Sequence, residues 1–370
     1  MAACIKGEFE LYTEKEAFFN CAFLAALANG NSIIHGVKAT PEITAFADYL
    51  RELGASVYVK DGQWEIAGMN FKCEKTLSLE WVGGDFPHQM RNKKIIENLL
   101  SGNPFNSEEK IAVKDSLIRE LSTFGAELEW KPEGPDEDDE LARRMARAQG
   151  AKSERKWICN IPPVHSLLAR DRFIAGDATE AAFLALAASL IPDSDITIKA
   201  VNLDASRAGI FGIFKRLGAD IEIIARHERG NDVWGDLRVK SAKELISRRF
   251  GVDILANCLD EIPLLAVLAC FAEDETILKL PAWAVDFCKP VLEALYENFK
   301  VAGIESGLYE EGLILRGKTE IEGDSFDCKN HPVLGLALHV LKRKAKGKKE
   351  IMGIECVEKI YPGVLKLVES

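Results

Sequence analysis

The chain has 370 residues, of which 47% are hydrophobic and 28% charged, as in a globular protein of about two domains. Its formal net charge of −11 argues against non-specific nucleic-acid binding, because a negative surface repels phosphates. The N-terminal residues show no basic segment followed by an apolar run, and no apolar run reaches the ~18 residues of a membrane span. We therefore expect a cytoplasmic protein that binds neither nucleic acid nor membrane.

The cysteines and histidines give no sign of a disulfide framework or a metal site. The nine cysteines are scattered, with no C-x-x-C spacing, and the six histidines make no close pairs with each other or with cysteines. Such a set is typical of reduced, mostly buried thiols. We expect no metal and no cofactor.

Along the chain, the first recurring pattern is an apolar helix, a polar turn and an alternating strand. Four copies are recognised: Ala17–Val37, Ala181–Val201, Ile262–Lys279 and, in weaker form, Val333–Ile354.

A second pattern follows the first and consists of an amphipathic helix, a glycine stop and a strand. Its copies are Tyr49–Val59, Leu121–Trp130, Phe214–Ile223 and, more loosely, Glu297–Gly307. In each copy a glycine stands where a helix ends on a left-handed residue: Gly54, Gly125, Gly218 and Gly303. The helix after Thr40 has a capping residue followed by Pro41, the residue favoured at the first helical position.

Together the two patterns predict an α/β (α+β) fold of repeated βαβαββ units, each with a further hairpin strand such as Gln63–Ile66 or Gly312–Arg316. One unit buries only one face of its sheet, so several must pack together. We count about five units. They are assigned to an N-terminal domain (14–171) and a C-terminal domain (1–13 plus 172–370), with the strand Cys4–Tyr12 completing the last unit.

One stretch, 131–156, interrupts the repeats and contains the acidic run 133–140. Its few apolar residues predict a solvated insertion or linker. The alternative is a segment that binds a protein partner or acts as a lid.

The most informative local feature is the pair Asp260 and Glu261, which directly precedes the Pro263-containing helix that opens the Ile262–Lys279 copy. Carboxylates at a helix start are stabilised by the free N–H groups there, which predicts a helix cap. They can also act as acid or base in a cleft.

Several motifs resemble those of the enolpyruvyl transferase family. They are Gly176–Phe183 (family GDxSSAAF), Asn202–Asp220 (N-x-x-x-x-R-x-G…LGAD), Gly235–Val239 (GDL-x-V), Asp260–Pro263 (DEIP) and Glu355–Pro362 (ECVxKSFP). The resemblance covers the chain except about 131–172.

The resemblance implies two domains of βαβαββ units, usually six in all, with the active site in the cleft between them. It also implies transfer of the enolpyruvyl group of phosphoenolpyruvate to shikimate 3-phosphate, without a metal or organic cofactor. The two ligands carry on the order of six negative charges, so the site needs a ring of Arg and Lys.

Carried over residue by residue, the motifs retain Lys15, Asp260 and Lys359, with Arg91 as a lesser match. Asp260 and Lys15 are the catalytic candidates; Lys15, Arg91, Lys359 and His331 are the substrate-binding candidates. The departures are numerous. Glu16, Asn20 and Pro87 replace a serine, an arginine and a glycine, while Phe287, Cys288, Val291 and Pro332 replace a lysine, the general-acid glutamate and two arginines.

Two hypotheses follow from this erosion. The first is a non-catalytic homologue that binds a ligand or partner. The second is an active but divergent enzyme, in which Cys288 is a nucleophile or acid, or His331 a base, rather than a buried thiol and a structural histidine. RNA 3′-phosphate cyclases also use βαβαββ units, but neither their nucleotide-binding chemistry nor a basic face is found in this sequence.

Overall fold

The computed structural model describes residues 4–71, 79–82, 87–109, 116–132, 157–317, 320–323, 325–345 and 350–369. The chain divides into two compact units. The C-terminal unit comprises Met1–Glu14, Ala175–Glu228 and Asp232–Ser370, and the N-terminal unit comprises Lys15–Ile174 with Arg229–Asn231. Within the described ranges, no helix combines the length and apolarity needed to cross a membrane.

The first half of the N-terminal unit forms a four-stranded sheet against two helices. Its elements are α1 (Lys15–Leu27), β2 (Asn31–His35), α2 (Pro41–Leu53), β3 (Ser56–Lys60), β4 (Gln63–Ala67) and the later strand β8 (Asp171–Phe173). The strand order is β3-β4-β2-β8, with β8 parallel to β2 and the other pairs antiparallel.

The second half of this unit forms a three-stranded sheet. Its elements are α3 (Pro87–Ser101), β5 (Phe105–Glu109), α4 (Ser116–Thr123), β6 (Glu129–Pro132) and β7 (Trp157–Ile161). Strand β7 lies between β5 and β6, and Pro132 is paired with Trp157. The acidic segment 133–140 thus falls in the connection of the β6–β7 hairpin and outside the described residues.

The described residues of the C-terminal unit form three sheets. The first part has β1 (Lys6–Glu10), α5 (Ala178–Leu190), β9 (Asp195–Asn202), α6 (Gly209–Arg216), β10 (Asp220–Arg229) and β11 (Asp232–Lys240). The second has β12 (Arg249–Phe250), α7 (Val252–Leu255), α8 (Ile262–Ala269), β13 (Glu275–Lys279), α9 (Val285–Val301), β14 (Ser306–Tyr309) and β15 (Gly312–Arg316). The third has β16 (Ser325–Asp327), α10 (Pro332–Lys344), β17 (Glu350–Met352) and α11 (Glu355–Ile360).

The three four-stranded sheets have the same strand order. In β1-β9-β11-β10, β12-β13-β15-β14 and β8-β2-β4-β3, a parallel strand flanks the first strand of a unit, and a hairpin completes the other side. The three-stranded sheet has this order without the parallel strand, and β16 pairs in parallel with β17. The five sheets of the described ranges agree in number with the five repeats counted in the sequence. The prediction that the strand Cys4–Tyr12 completes the last unit is wrong, because β1 pairs in parallel with β9 and not with β16 or β17.

Three helices form the centre of the C-terminal unit. The side chains of α5 and α8 are buried on all faces, and most of α10 is buried with them. These helices pack against one another. A helix that is apolar on all sides has to be enclosed in this way, so the repeated apolar segments of the sequence become the core.

The residues predicted to end and to begin helices lie at helix ends in the structure. The four glycines that follow α2, α4, α6 and α9 all have positive φ, which L-residues with a Cβ rarely adopt. The Thr40 hydroxyl accepts a 3.2 Å hydrogen bond from the N–H of Ile43, and Pro41 opens α2. Both predictions are confirmed.

A buried ion pair connects β8 with α4 inside the N-terminal unit. The Arg172 Nη2 donates to Glu120 Oε1 at 2.9 Å, and Nη1 donates to Oε2. Both residues are only 4% exposed. A bidentate guanidinium–carboxylate pair satisfies both groups where water is excluded, so β8 is held by more than its short ladder with β2.

Candidate functional site

The sequence-predicted carboxylate Asp260 lies beside an arginine in the C-terminal unit. Arg207 is in the turn before α6, and its guanidinium reaches groups from three other segments. Its Nη1 is 3.4 Å from Asp260 Oδ2, its Nη2 is 3.2 Å from Thr179 Oγ1 and 3.4 Å from Glu261 Oε1, and its Nε is 3.5 Å from Glu14 Oε2. We call these five residues the Asp260 cluster.

The start of α5 adds further acidic groups to the surroundings of this cluster. Asp177 caps the helix by accepting a 2.8 Å bond from the N–H of Glu180. Burial, and then the Glu14 carboxylate, raise the pKa of Asp177 well above its usual range. The Glu180 carboxylate accepts a 2.6 Å bond from the N–H of Tyr12, which is contributed by the N-terminal strand segment. The Arg207 guanidinium therefore faces more carboxylates than its single charge can balance.

Glu261 is the most deeply buried member, at 1% exposure. Thr179 Oγ1 donates to its Oε1 at 2.5 Å, while its Oε2 has no hydrogen-bond partner among the described residues. Burial raises its pKa to about 7, an effect that the Arg207 charge opposes. In the folded state this carboxyl binds a proton more readily than in the unfolded chain, so its contribution to stability is lost as the pH rises through about 7.

The predicted helix cap at Asp260 is wrong. The N-cap position of α8 is Glu261, and its side chain makes no capping hydrogen bond. Asp260 precedes it, with its side chain 45% exposed, and is oriented by Arg207. The guanidinium, rather than the helix N–H groups, is the partner of this carboxylate. The N–H of Ile262 already donates to Leu259 O at 3.3 Å, and Pro263 has no N–H.

Two further predicted residues lie within electrostatic range of Asp260. Cys288, in α9, is a buried thiol whose pKa is raised to about 12, chiefly by burial and then by Asp260. Such a thiol is neutral at physiological pH, which makes it a poor nucleophile. The structure thus favours the buried-thiol interpretation of Cys288.

His331 is the N-cap residue of α10. Its Nδ1 accepts a 3.2 Å bond from the N–H of Leu334, and Pro332 occupies the first turn. Burial lowers the pKa of the imidazole, although the charge of Asp260 opposes this. A neutral imidazole with Nδ1 as an acceptor suits a helix cap.

The other basic candidates have separate environments. In the N-terminal unit, Lys15 lies at the start of α1, and its Nζ is 2.7 Å from Glu42 Oε2. Arg91 is 5% exposed, bonds to Asn92 Oδ1 through Nε and Nη2 at 3.3 Å, and lies 5.5 Å over the Trp130 ring. Such burial and stacking indicate a structural arginine. Lys359, in α11 of the C-terminal unit, is exposed.

Sequence reasoning identified Asp260 and its neighbour Glu261 but not the other groups that surround them. Glu14 was not singled out, Thr179 was noted only as part of the Gly176–Phe183 motif, and Arg207 only as the arginine of the Asn202–Asp220 motif. That arginine and the acidic positions at 14, 177 and 261 were the available signal. Within the described residues, no group of three or more His, Cys, Asp or Glu side chains is arranged to hold a metal ion.

The comparison with protein families agrees with these motifs. Residues 139–367 match the model described as EPSP synthase (3-phosphoshikimate 1-carboxyvinyltransferase). The 3-phosphoshikimate 1-carboxyvinyltransferase of Bacillus pumilus is 30% identical over an alignment of 424 positions that covers 99% of this chain and 97% of the relative. Because the alignment is longer than the chain, this chain lacks segments that the relative has.

Alignments with other relatives cover less of their length. The Synechococcus 3-phosphoshikimate 1-carboxyvinyltransferase is 25% identical over 86% of this chain and 67% of its own length. The Thermoanaerobacter sp. (strain X514) protein of that name is 29% identical over 69% of the chain, and only 60% of that relative is spanned.

Solved structures show the same fold. EPSP synthase from Acinetobacter baumannii superposes with a TM-score of 0.73 at 19% identity, covering 99% of this chain and 96% of that one. The enolpyruvyl transferase NikO from Streptomyces tendae gives 0.63 at 12% identity. The sheets and helices described above therefore have the fold of these enolpyruvyl transferases.

Proposed function

The chain belongs to the EPSP synthase family, and we propose that it keeps the family's fold but has lost enolpyruvyl transfer from phosphoenolpyruvate to shikimate 3-phosphate. We propose a binding or regulatory role in place of catalysis. The observation that carries the proposal is the charge balance of the Asp260 cluster.

This charge balance disfavours anionic ligands. Arg207 is the guanidinium of the cluster, and three carboxylates (Glu14, Asp260 and Glu261) lie within 3.4–3.5 Å of it. In the C-terminal half, the positions of a family lysine and two family arginines are occupied by residues without charge: Phe287, Val291 and Pro332. Two ligands with on the order of six negative charges would meet a surplus of like charge.

Proton transfer lacks its general acid as well. The position of the family's general-acid glutamate is Cys288, whose pKa is raised to about 12 by burial. General acids work best with a pKa near the operating pH. Asp260 remains, with its Oδ2 3.4 Å from Arg207 Nη1.

The N-terminal unit supports the same proposal. Asn20, which replaces an arginine, is 2% exposed, and its Nδ2 has no hydrogen-bond partner among the described residues. Lys15 already has Glu42 as a partner, and Arg91 is enclosed with Asn92 and Trp130. Redirecting either of these two cations to a phosphate would first break an existing interaction.

The retention of Lys15, Asp260 and Lys359 is what favours the alternative, an active but divergent transferase of the shikimate pathway in aromatic amino-acid biosynthesis. Phosphoenolpyruvate and shikimate 3-phosphate are the candidate ligands of this alternative. A protein partner of segment 133–140 and a cytoplasmic location also remain proposals. The location is favoured by the free thiol state of all described cysteines.

We expect neither phosphoenolpyruvate nor shikimate 3-phosphate, alone or together at millimolar concentration, to raise the melting temperature of the protein. A ligand present at 100 times its Kd would stabilise the fold by about 2.7 kcal/mol. Inorganic phosphate controls for ionic effects, and the Bacillus pumilus relative is the positive control. A saturable rise with either compound would contradict the loss of the binding site.

A further inference from the structure

Two thiols of the C-terminal unit meet at one edge of the β16–β17 pair. Cys328 directly follows β16, and Cys356 follows β17 by four residues, in α11. The strands are parallel, so their carboxyl ends lie at the same edge. The two Sγ atoms are 3.9 Å apart, which is van der Waals contact.

Glycines make this approach possible. A Cβ at Gly353 would lie 3.3 Å from the Cys328 sulfur, and a Cβ at Gly335 would lie 2.6 Å from Val357 beside Cys356. Gly353 also has φ +75°, which turns the chain from β17 into α11. These two glycines thus leave room for the close packing of the segments that carry Cys328 and Cys356.

Cys328 is held in place by two hydrogen bonds to one carbonyl oxygen. The Cys328 N–H donates to Met352 O at 3.1 Å, and its thiol donates to the same oxygen at 3.2 Å. Cys328 is fully buried, while Cys356 is 8% exposed and is the sulfur nearer to solvent. A disulfide needs an S–S distance of about 2.05 Å, so the sulfurs must close by roughly 2 Å, within the range of side-chain rotation.

We propose that Cys328 and Cys356 form a reversible disulfide when the protein meets an oxidised low-molecular-weight disulfide. The Cys356 thiolate attacks one sulfur of that disulfide, forming a mixed disulfide and releasing one small thiolate. The Cys328 thiolate, its proton passed to solvent, then attacks Cys356 Sγ and releases the second small thiolate. The protein loses two electrons and two protons, and the small disulfide is reduced to two thiols.

The cross-link would fix a part of the surface that carries two predicted site residues. His331 is three residues after Cys328, and its N–H donates to Cys328 O at 2.7 Å. Lys359 is three residues after Cys356 on α11, and so lies on the same side of that helix. Oxidation would thus tie the turn before α10 to α11. The proposal stands whether or not enolpyruvyl transfer is lost.

The test is oxidation of the full-length protein with excess oxidised glutathione, followed by thiol counting and peptide mapping. The expected result is the loss of two free thiols, a peptide linking Cys328 to Cys356, and slower amide exchange at 328–331 and 353–360. Dithiothreitol should reverse all three. Because burial raises the pKa of both thiols, the reaction should take minutes to hours.

Cys328→Ser and Cys356→Ser should each abolish the linked peptide, while Cys4→Ser, at a partly exposed cysteine, should retain it. Peptide mapping of the unsubstituted protein needs no variant, so the test remains decisive even if one of the two serine variants does not fold. Retention of both thiols at equilibrium, or linkage of either cysteine mainly to glutathione or to a different cysteine, would overturn the proposal.

Discussion

Replacing Arg172 with methionine should lower the free energy of unfolding by about 3–5 kcal/mol, the usual cost of removing one partner from a buried ion pair. Arg172 and Glu120 are both 4% exposed and form a bidentate pair. The variant leaves the Glu120 carboxylate buried without its cation, and methionine fills most of the space. Urea unfolding at neutral pH measures the loss.

The matched control is Arg238→Met, at the exposed pair with Asp195, where the side chains are 43% and 39% exposed. An exposed pair contributes about 0–1 kcal/mol. The double variant Arg172→Met/Glu120→Leu should recover most of the stability, because it removes both charges. A loss below about 1 kcal/mol for Arg172→Met alone would show that the pair does not hold β8 to α4.

Replacing Arg207 with leucine should cost about 3 kcal/mol at pH 8, somewhat less than a fully buried pair because its side chain is 24% exposed. Glu14, Asp260 and Glu261 would lose their shared cation. The loss in the free energy of unfolding should be smaller at pH 5. The pKa of Glu261 is about 7 in the native cluster, so its carboxyl is mostly protonated at pH 5. Protonation removes the charge that needs Arg207, so the penalty grows as pH rises.

Urea unfolding at pH 5 and pH 8 tests this prediction, with Arg226→Leu as the control. Arg226 pairs with Glu228 where both side chains are more than half exposed, so its loss should be small at either pH. An equal loss in the free energy of unfolding at pH 5 and pH 8 would contradict the prediction. It would mean that Arg207 does not stabilise the ionised carboxylates of the Asp260 cluster.

Much of the fold was predictable because its signals are local. These signals depend on residues close together in the sequence: the glycines with positive φ, the Thr40 cap and the apolar helices. Because the units repeat, the helix and glycine patterns recur several times along the chain. Strand β7 was not predicted. Its five residues follow the long polar insertion, which separates β7 in the sequence from β6, its partner in the hairpin.

The Asp260 cluster was harder to predict because it is assembled from distant parts of the chain. Glu14, Thr179, Arg207 and Asp260 come from four segments, and no spacing rule connects them. The local rule that predicted a cap at Asp260 failed because tertiary contact with Arg207 satisfies the carboxylate instead. Likewise, the sequence retained Lys15 and Arg91 as cations but did not reveal Glu42, Asn92 and Trp130 as their partners.

The most direct test of the lost reaction is phosphate release from phosphoenolpyruvate in the presence of shikimate 3-phosphate, with the purified full-length chain. We predict release no faster than in a protein-free reaction, at substrate concentrations that saturate the Bacillus pumilus relative. Turnover at rates ordinary for enzymes, about 1–1,000 per second, would contradict the proposal and establish this chain as an active transferase.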